Sequence, residues 1–182
     1  LVPKIFFPPS DRTYFKMELE MPLGTDISAM SDVVGKVNNF IDTNLLVDDS
    51  RTEGATNWIA YVGSGGPRFV LSHNPKPASS NYTIYIINVT SSEIIDKLIR
   101  QLDHFTFNEF PDLDVTLRRI ENGPSITYPI EVRLSGDNPD NLFKAVSQTK
   151  EKFHQLAGVK NISDNWGQKI KKLNININQE RT

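Results

Sequence analysis

Cysteine is absent from this chain of 182 residues. Disulfides and thiolate metal sites are therefore excluded, although the absence does not separate a reducing compartment from an oxidising one. Long apolar runs are missing too. None approaches the roughly 20 residues a membrane-spanning helix needs, and no secretory leader is visible. Charge of one sign is not concentrated anywhere. The 20 Lys and Arg nearly balance the 22 Asp and Glu, for a net charge of −2. Their scatter argues against a nucleic-acid footprint, which requires basic residues gathered on one face.

The common catalytic signatures are also lacking. Gly63, Gly65 and Gly66 have no third glycine for a dinucleotide fingerprint, and no phosphate-loop GK[ST] occurs. His73, His104 and His154 are far apart and form no HExxH, so no metal site is expected. No Ser lies in a GxSxG elbow. The expectation is a protein with no catalytic residue, no metal and no cofactor, and not an enzyme. Asn81-Tyr-Thr83, Asn88-Val-Thr90 and Asn161-Ile-Ser163 match the glycosylation tripeptide, but the first two fall on an expected strand and are discounted.

What is present is patterned. Hydrophobic residues make up 38% and charged ones 23%, as in ordinary globular proteins, and the length allows one domain or two small ones. Phe15, Met17, Leu19 and Met21 alternate with Lys16, Glu18 and Glu20, the period of a half-buried strand. After Pro22-Leu-Gly24, Thr25 or Asp26 caps a helix striped by Ile27, Met30, Val34, Val37, Ile41 and Leu45. Asn57–Val62 reads as a strand. Residues 63–80 are an irregular Gly/Pro/Ser/Asn-rich loop, and Tyr82–Val89 is apolar enough for a central strand. Thr90 and Glu93 have the spacing of a capping box for a helix carrying Ile94, Leu98, Leu102 and Phe105. Asp112–Ile120 returns as a strand.

That order, βαββαβ, is the ferredoxin-like split motif, and the expected fold class is α+β. Glu121–Gly136 turns at Gly123-Pro124 and starts the pattern again. Ile130, Val132 and Leu134 alternate, Asn138-Pro139 caps a helix lined by Leu142, Val146, Phe153 and Leu156, and Gly158 fits its C-terminal cap. Leu173, Ile175 and Ile177 form a last strand. The expected division is a ferredoxin-like subdomain at 1–125 and the first half of a second βαβ subdomain at 126–182. The chain starts at Leu1-Val2-Pro3 without an initiator Met, so it is expected to be a segment of something longer.

In a ferredoxin-like unit the helices cover one sheet face. Alternation assigns Phe15, Met17, Leu19, Val115 and Leu117 to that face, and Lys16, Glu18, Thr116 and Arg118 to the other. A polar face of mixed charge can simply be solvated. If a second module leans over it, it becomes a cleft wall, and domain interfaces are favoured ligand sites.

Three segments carry a family resemblance. Val2-Pro-Lys-Ile-Phe-Phe-Pro-Pro-Ser-Asp-Arg12, leading to Met21-Pro-Leu-Gly24, resembles the stretch after a transmembrane helix in resistance-nodulation-division (RND) efflux pumps. Gly123-Pro124 with Pro129-Ile-Glu-Val-Arg-Leu-Ser-Gly136 resembles the join between porter subdomains. Leu173–Arg181 is similar to the strand before the docking subdomain. The match is to the second periplasmic loop of such pumps.

The resemblance implies a homotrimeric inner-membrane proton antiporter as parent protein, exporting drugs or other small amphiphilic molecules with a periplasmic adaptor and an outer-membrane channel. This segment itself would be soluble and periplasmic. The cleft would be lined by Lys16, Glu18, Thr116 and Arg118, with Glu131 and Asn165. A switch loop would correspond to Gly63, Gly65, Gly66 and Pro67 onward, with Arg68 and Phe69 as its contacts. Multidrug members line such positions with Met and Phe; the polar set here points to a more polar substrate. The rival expectation is a free-standing ferredoxin-like module that binds a small molecule or regulates a partner. An acylphosphatase-like enzyme would need an Arg/Asn phosphate cradle, which the sequence does not offer.

Overall fold

In the computed structural model, which describes residues 11–120, 123, 130–159 and 162–167, the first alternating segment is a strand, β1 (Tyr14–Glu20), with every second residue buried. The remaining elements are α1 (Ile27–Asn44), β2 (Ala55–Val62), β3 (Tyr82–Val89), α2 (Ile95–Glu109), β4 (Asp114–Arg119) and α3 (Pro139–His154). The first six follow the expected βαββαβ order. Their strands make one antiparallel sheet in the order β2-β3-β1-β4, the ferredoxin-like split arrangement. The fold is α+β. The chain divides into two compact units, Leu1–Arg133 and Leu134–Thr182, a few residues later than the division expected after 125.

In the first unit, Phe15 faces Ile87 and Met17 faces Tyr85 across β1 and β3. Directly opposed residues of an antiparallel pair point to the same side, so these four share a face. Met30, Val34, Val37 and Ile41 of α1 and Leu98 and Leu102 of α2 pack with them in one buried cluster. Each such side chain, fully buried, stabilises the fold by about 1.5–3 kcal/mol. Asp26 caps α1, accepting from the Ser28 N–H at 2.8 Å. The indole N–H of Trp58 donates to Asn38 Oδ1 at 3.0 Å, and Tyr85 Oη lies 3.0 Å from the same oxygen, so both aromatic tips keep a polar partner where water is excluded.

One local expectation fails. The Thr90–Glu93 capping box is not formed: α2 starts after Ile94, with no side-chain cap. The Thr90 hydroxyl instead accepts from the Gly54 N–H at 3.3 Å, while its own N–H donates to the Gly54 carbonyl at 3.1 Å. A tertiary partner has taken the group that the sequence pattern offers to the helix. Asn81 is buried, and its amide donates to the Met21 carbonyl at 2.6 Å, which closes that tripeptide to modification in the folded chain.

The second unit, taken by itself, is built on α3. Asn138 Oδ1 accepts from the N–H groups of Asp140 and Asn141 at 2.9 and 3.1 Å, with Pro139 in the first turn. Gly158 follows the helix in the left-handed region, at φ +83°. Lys150 pairs with Asp164 at 3.0 Å, and Phe143 meets Trp166 edge-to-face at 5.3 Å. The strand expected over Ile130–Leu134 is corrected: these residues pair with no strand among the described residues, and Ile130 and Val132 are 70% and 54% exposed. Alternation alone cannot hold a strand without a ladder partner. The last strand expected, Leu173–Ile177, lies outside the described residues, as does the Gly123-Pro124 join apart from Gly123.

Candidate functional site

The register of β1 assembles the face turned away from the helices. Lys16 stands between Ile86 and Arg118, Glu18 between Ile84 and Thr116, and Glu20 between Tyr82 and Asp114. Lys16, Glu18, Thr116 and Arg118 are thus brought together, as the alternation predicts. The face is not uncovered, however. Ile84 has no exposed surface and Tyr82 only 2%, although both lie on it. The covering element is the loop 63–81 between β2 and β3.

Its base is closed by backbone bonds. The Gly63 N–H donates to the Tyr82 carbonyl at 2.8 Å, and the Ser79 N–H donates to the Gly63 carbonyl at 3.1 Å. Inside the loop, buried His73 lies with Nε2 2.9 Å from the Gly65 carbonyl and stacks on Phe69, ring centroids 4.4 Å apart. Because a carbonyl only accepts, that geometry puts a proton on Nε2. A side chain at Gly65 would meet the Lys76 backbone nitrogen at 2.3 Å, so only glycine lets the two limbs of the loop approach. Gly66 takes φ +67° against the Tyr61 ring, and Gly63 is likewise left-handed at φ +71°.

Loop and sheet meet at both ends of the face. At one end, Val70, Ser72 and His73 share with Lys16, Arg118 and Arg119 a cavity of about 10 Å³, room for about one water molecule. At the other end, Lys76 Nζ reaches Glu20 Oε2 at 2.7 Å. Between them Lys16 and Glu18 are ion-paired at 2.7 Å, with side chains only 14% and 17% exposed. Burial opposes the charge on Glu18, but the hydrogen bond and charge of Lys16, with smaller contributions from Tyr82 and Lys76, prevail and hold its carboxyl below the usual range. At Asp114, loss of water around the carboxyl and the Glu20 charge directly across raise the pKa, against an opposing pull from Lys76. Asp114 itself is exposed, so its desolvation is partial and the facing Glu20 carboxylate is the lasting cause of the rise.

The other expected residues are spread out. Arg68 is exposed and donates from Nη2 to the Leu71 carbonyl at 2.8 Å within its own loop, and Pro67 is exposed beside it. Glu131 is exposed, and Asn165 is exposed in the Asp164–Gly167 turn of the second unit. Sequence reasoning passed over Glu20, Asp114, Tyr82, His73 and Lys76. Carrying the alternation one step further along β1 and β4 reaches Glu20 and Asp114. Nothing in the pattern around Lys76 marks it as a partner of a residue 56 positions away.

Among the described residues no helix is long and apolar enough to cross a membrane, and no group of three or more His, Asp or Glu could hold a metal ion. A scan against protein-family models finds no match, and a search of curated proteins finds none either. The arrangement closes a mixed-charge sheet face beneath a loop tied to it at both ends, with room left for about one water beside Lys16 and Arg118.

Proposed function

We propose that this chain is the periplasmic substrate-capture (porter) region of a proton-driven RND efflux transporter that exports drugs or other small amphiphilic molecules. The observation that most supports this reading is the meeting of the two features the resemblance assigns to the cleft. Wall residues Lys16 and Arg118 share a cavity with Val70, Ser72 and His73 of the loop assigned as the switch. A loop closed on a wall leaves room for about one water, so passage of a substrate requires it to lift. Glycines at the loop base supply backbone freedom for such a hinge. In the intact homotrimer, with adaptor and outer-membrane channel, the subdomains rock as rigid bodies while proton binding in the membrane drives the cycle. The porter region performs no chemistry of its own.

The chain's lack of cysteine makes a direct test available in the parent gene. A Ser72→Cys/Arg118→Cys pair, oxidised, should stop efflux of a reporter dye, and reduction should restore it, while each single substitution transports. Transport by the cross-linked pump would remove the gate. A parent gene that confers no efflux and encodes no membrane span would sink the transporter reading. A free-standing binding module is then the better account, and the self-contained core of the first unit favours that second reading.

A further inference from the structure

The two edge strands of the first unit's sheet are built differently. β4 carries Asp114, Arg118 and Arg119, charges of the kind that keep an edge from pairing with another chain. β2 carries none: from Gly54 to Gly66 the chain has neither a charged residue nor a proline. The register irregularity between Ala55 and Asn57 and the bridge from Leu46 to Ala55 close off the start of β2. The regular stretch from Asn57 to Val62 follows.

The pairing of that stretch decides which backbone groups it offers. The Gly63 N–H donates to the Tyr82 carbonyl of β3 at 2.8 Å, and bonded positions in an antiparallel ladder recur at every second residue. Tyr61, Ile59 and Asn57 therefore direct their N–H and C=O groups to β3. Trp58, Ala60 and Val62 direct theirs to the outer side, where β2 has no neighbouring strand among the described residues. Such a row is a template for strand addition. Beside it Ile59, on the face shared with Lys16, is 47% exposed.

The row fits itself. Laid antiparallel against a second copy with a two-fold axis at Ala60, Trp58 meets the partner's Val62 and Ile59 meets the partner's Tyr61. These are the aromatic–aliphatic pairs that favour strand association. Small Ala60 meets the partner's Ala60 on the axis, and no like charges are opposed. Trp58, Ala60 and Val62 then exchange backbone bonds with the partner's Val62, Ala60 and Trp58. We propose that this chain forms a two-fold dimer through the outer edge of β2, joining two four-stranded sheets into one. The inference rests on the first unit alone and is independent of the transporter reading, which concerns the intact parent protein.

The test is amide hydrogen exchange by NMR on the full chain at low-micromolar and at millimolar concentration, with sedimentation equilibrium over the same range. The mass should rise from the 20.6 kDa of one chain towards twice that. Over the same rise the Trp58, Ala60 and Val62 amides should gain protection, while those of Ile59 and Tyr61, already bonded to β3, should not change. Ala60→Pro removes the central outward donor at a position where an edge strand tolerates proline, and should weaken association about tenfold or more. Ile59→Lys alters an exposed site and should also weaken it, by setting two ammonium groups on diagonal positions about 7–8 Å apart. It serves if the proline variant is not folded. Because the chain has no cysteine, register can be read directly. Ile59→Cys and Tyr61→Cys chains, mixed and oxidised, should cross-link faster than either alone. The proposal is overturned if the chain stays monomeric at millimolar concentration, or if it dimerises without protecting those three amides. It is also overturned if Ile59→Lys associates as well as wild type, or if Ile59→Cys alone cross-links as fast as the mixture.

Discussion

Helices α1 and α3 carry the same kind of apolar stripe and end in different surroundings. α1 buries Met30, Val33, Val34, Val37 and Ile41 against the sheet, whereas α3 buries none of its described residues. Both are properly capped, by Asp26 and Asn138. Periodicity and a cap are therefore enough to specify a helix, but burial needs a second surface that the stripe itself does not supply. The same holds for strands. β1 alternates and is paired on both edges, while Ile130–Leu134 alternates and finds no strand among the described residues.

The largest expected effect is on this contrast itself. Leu19→Ala should cost the first unit about 2–5 kcal/mol, as large-to-small changes in a packed core do. Val146→Ala on α3 should cost well under about 1 kcal/mol. Urea melts followed by circular dichroism compare them, and equal losses would mean that α3 is packed as tightly as α1. Next is the loop. Gly65→Ala drives a Cβ into the Lys76 backbone and should cost about 1–3 kcal/mol, the usual penalty for overpacking. Limited proteolysis should cut residues 63–81 faster while β1 and β3 stay protected in hydrogen exchange; uniform loss of protection would show that the loop is part of the core.

Glu18→Gln comes third, at about 1.5 kcal/mol for one charged hydrogen bond of a mostly buried pair. It also has a pH signature. The folded carboxyl titrates below its unfolded value, so its contribution is full above the ordinary glutamate pKa of about 4.3. It is lost as pH falls from there through the depressed folded value. The wild type should lose its advantage over Glu18→Gln across that window, and a constant difference would contradict the Lys16 pairing. The smallest effect is Lys76→Ala, about 0.5–1 kcal/mol for a half-exposed ion pair, read as a slightly lowered urea midpoint and vanishing in high salt.

Much of the fold was legible because one period dominates each element of the first unit. Phe15, Met17 and Leu19 declare a strand face, and the stripe from Met30 to Ile41 declares its cover. Lys16, Glu18, Thr116 and Arg118 were legible as neighbours for the same reason, since a period of two fixes sidedness. What covers that sidedness was not legible. The loop has no repeat, and its ties to the sheet are single contacts of large sequence separation, such as Lys76 with Glu20 and Ser80 with the Thr25 carbonyl. Thr90 shows the converse. Its local signal was readable and a distant backbone, Gly54, overrode it.

The two tryptophans of the chain fall one in each unit. Trp58 is held through its indole N–H by Asn38 beside the first core, and Trp166 is 66% exposed at the edge of Phe143. The molecule therefore comes already labelled for optical work. Trp166→Phe leaves an emission that follows only the sheet and its helices. Trp58→Phe leaves one that follows only the α3 turn. Each half of the chain can thus be watched unfolding in its own colour, without attaching any dye.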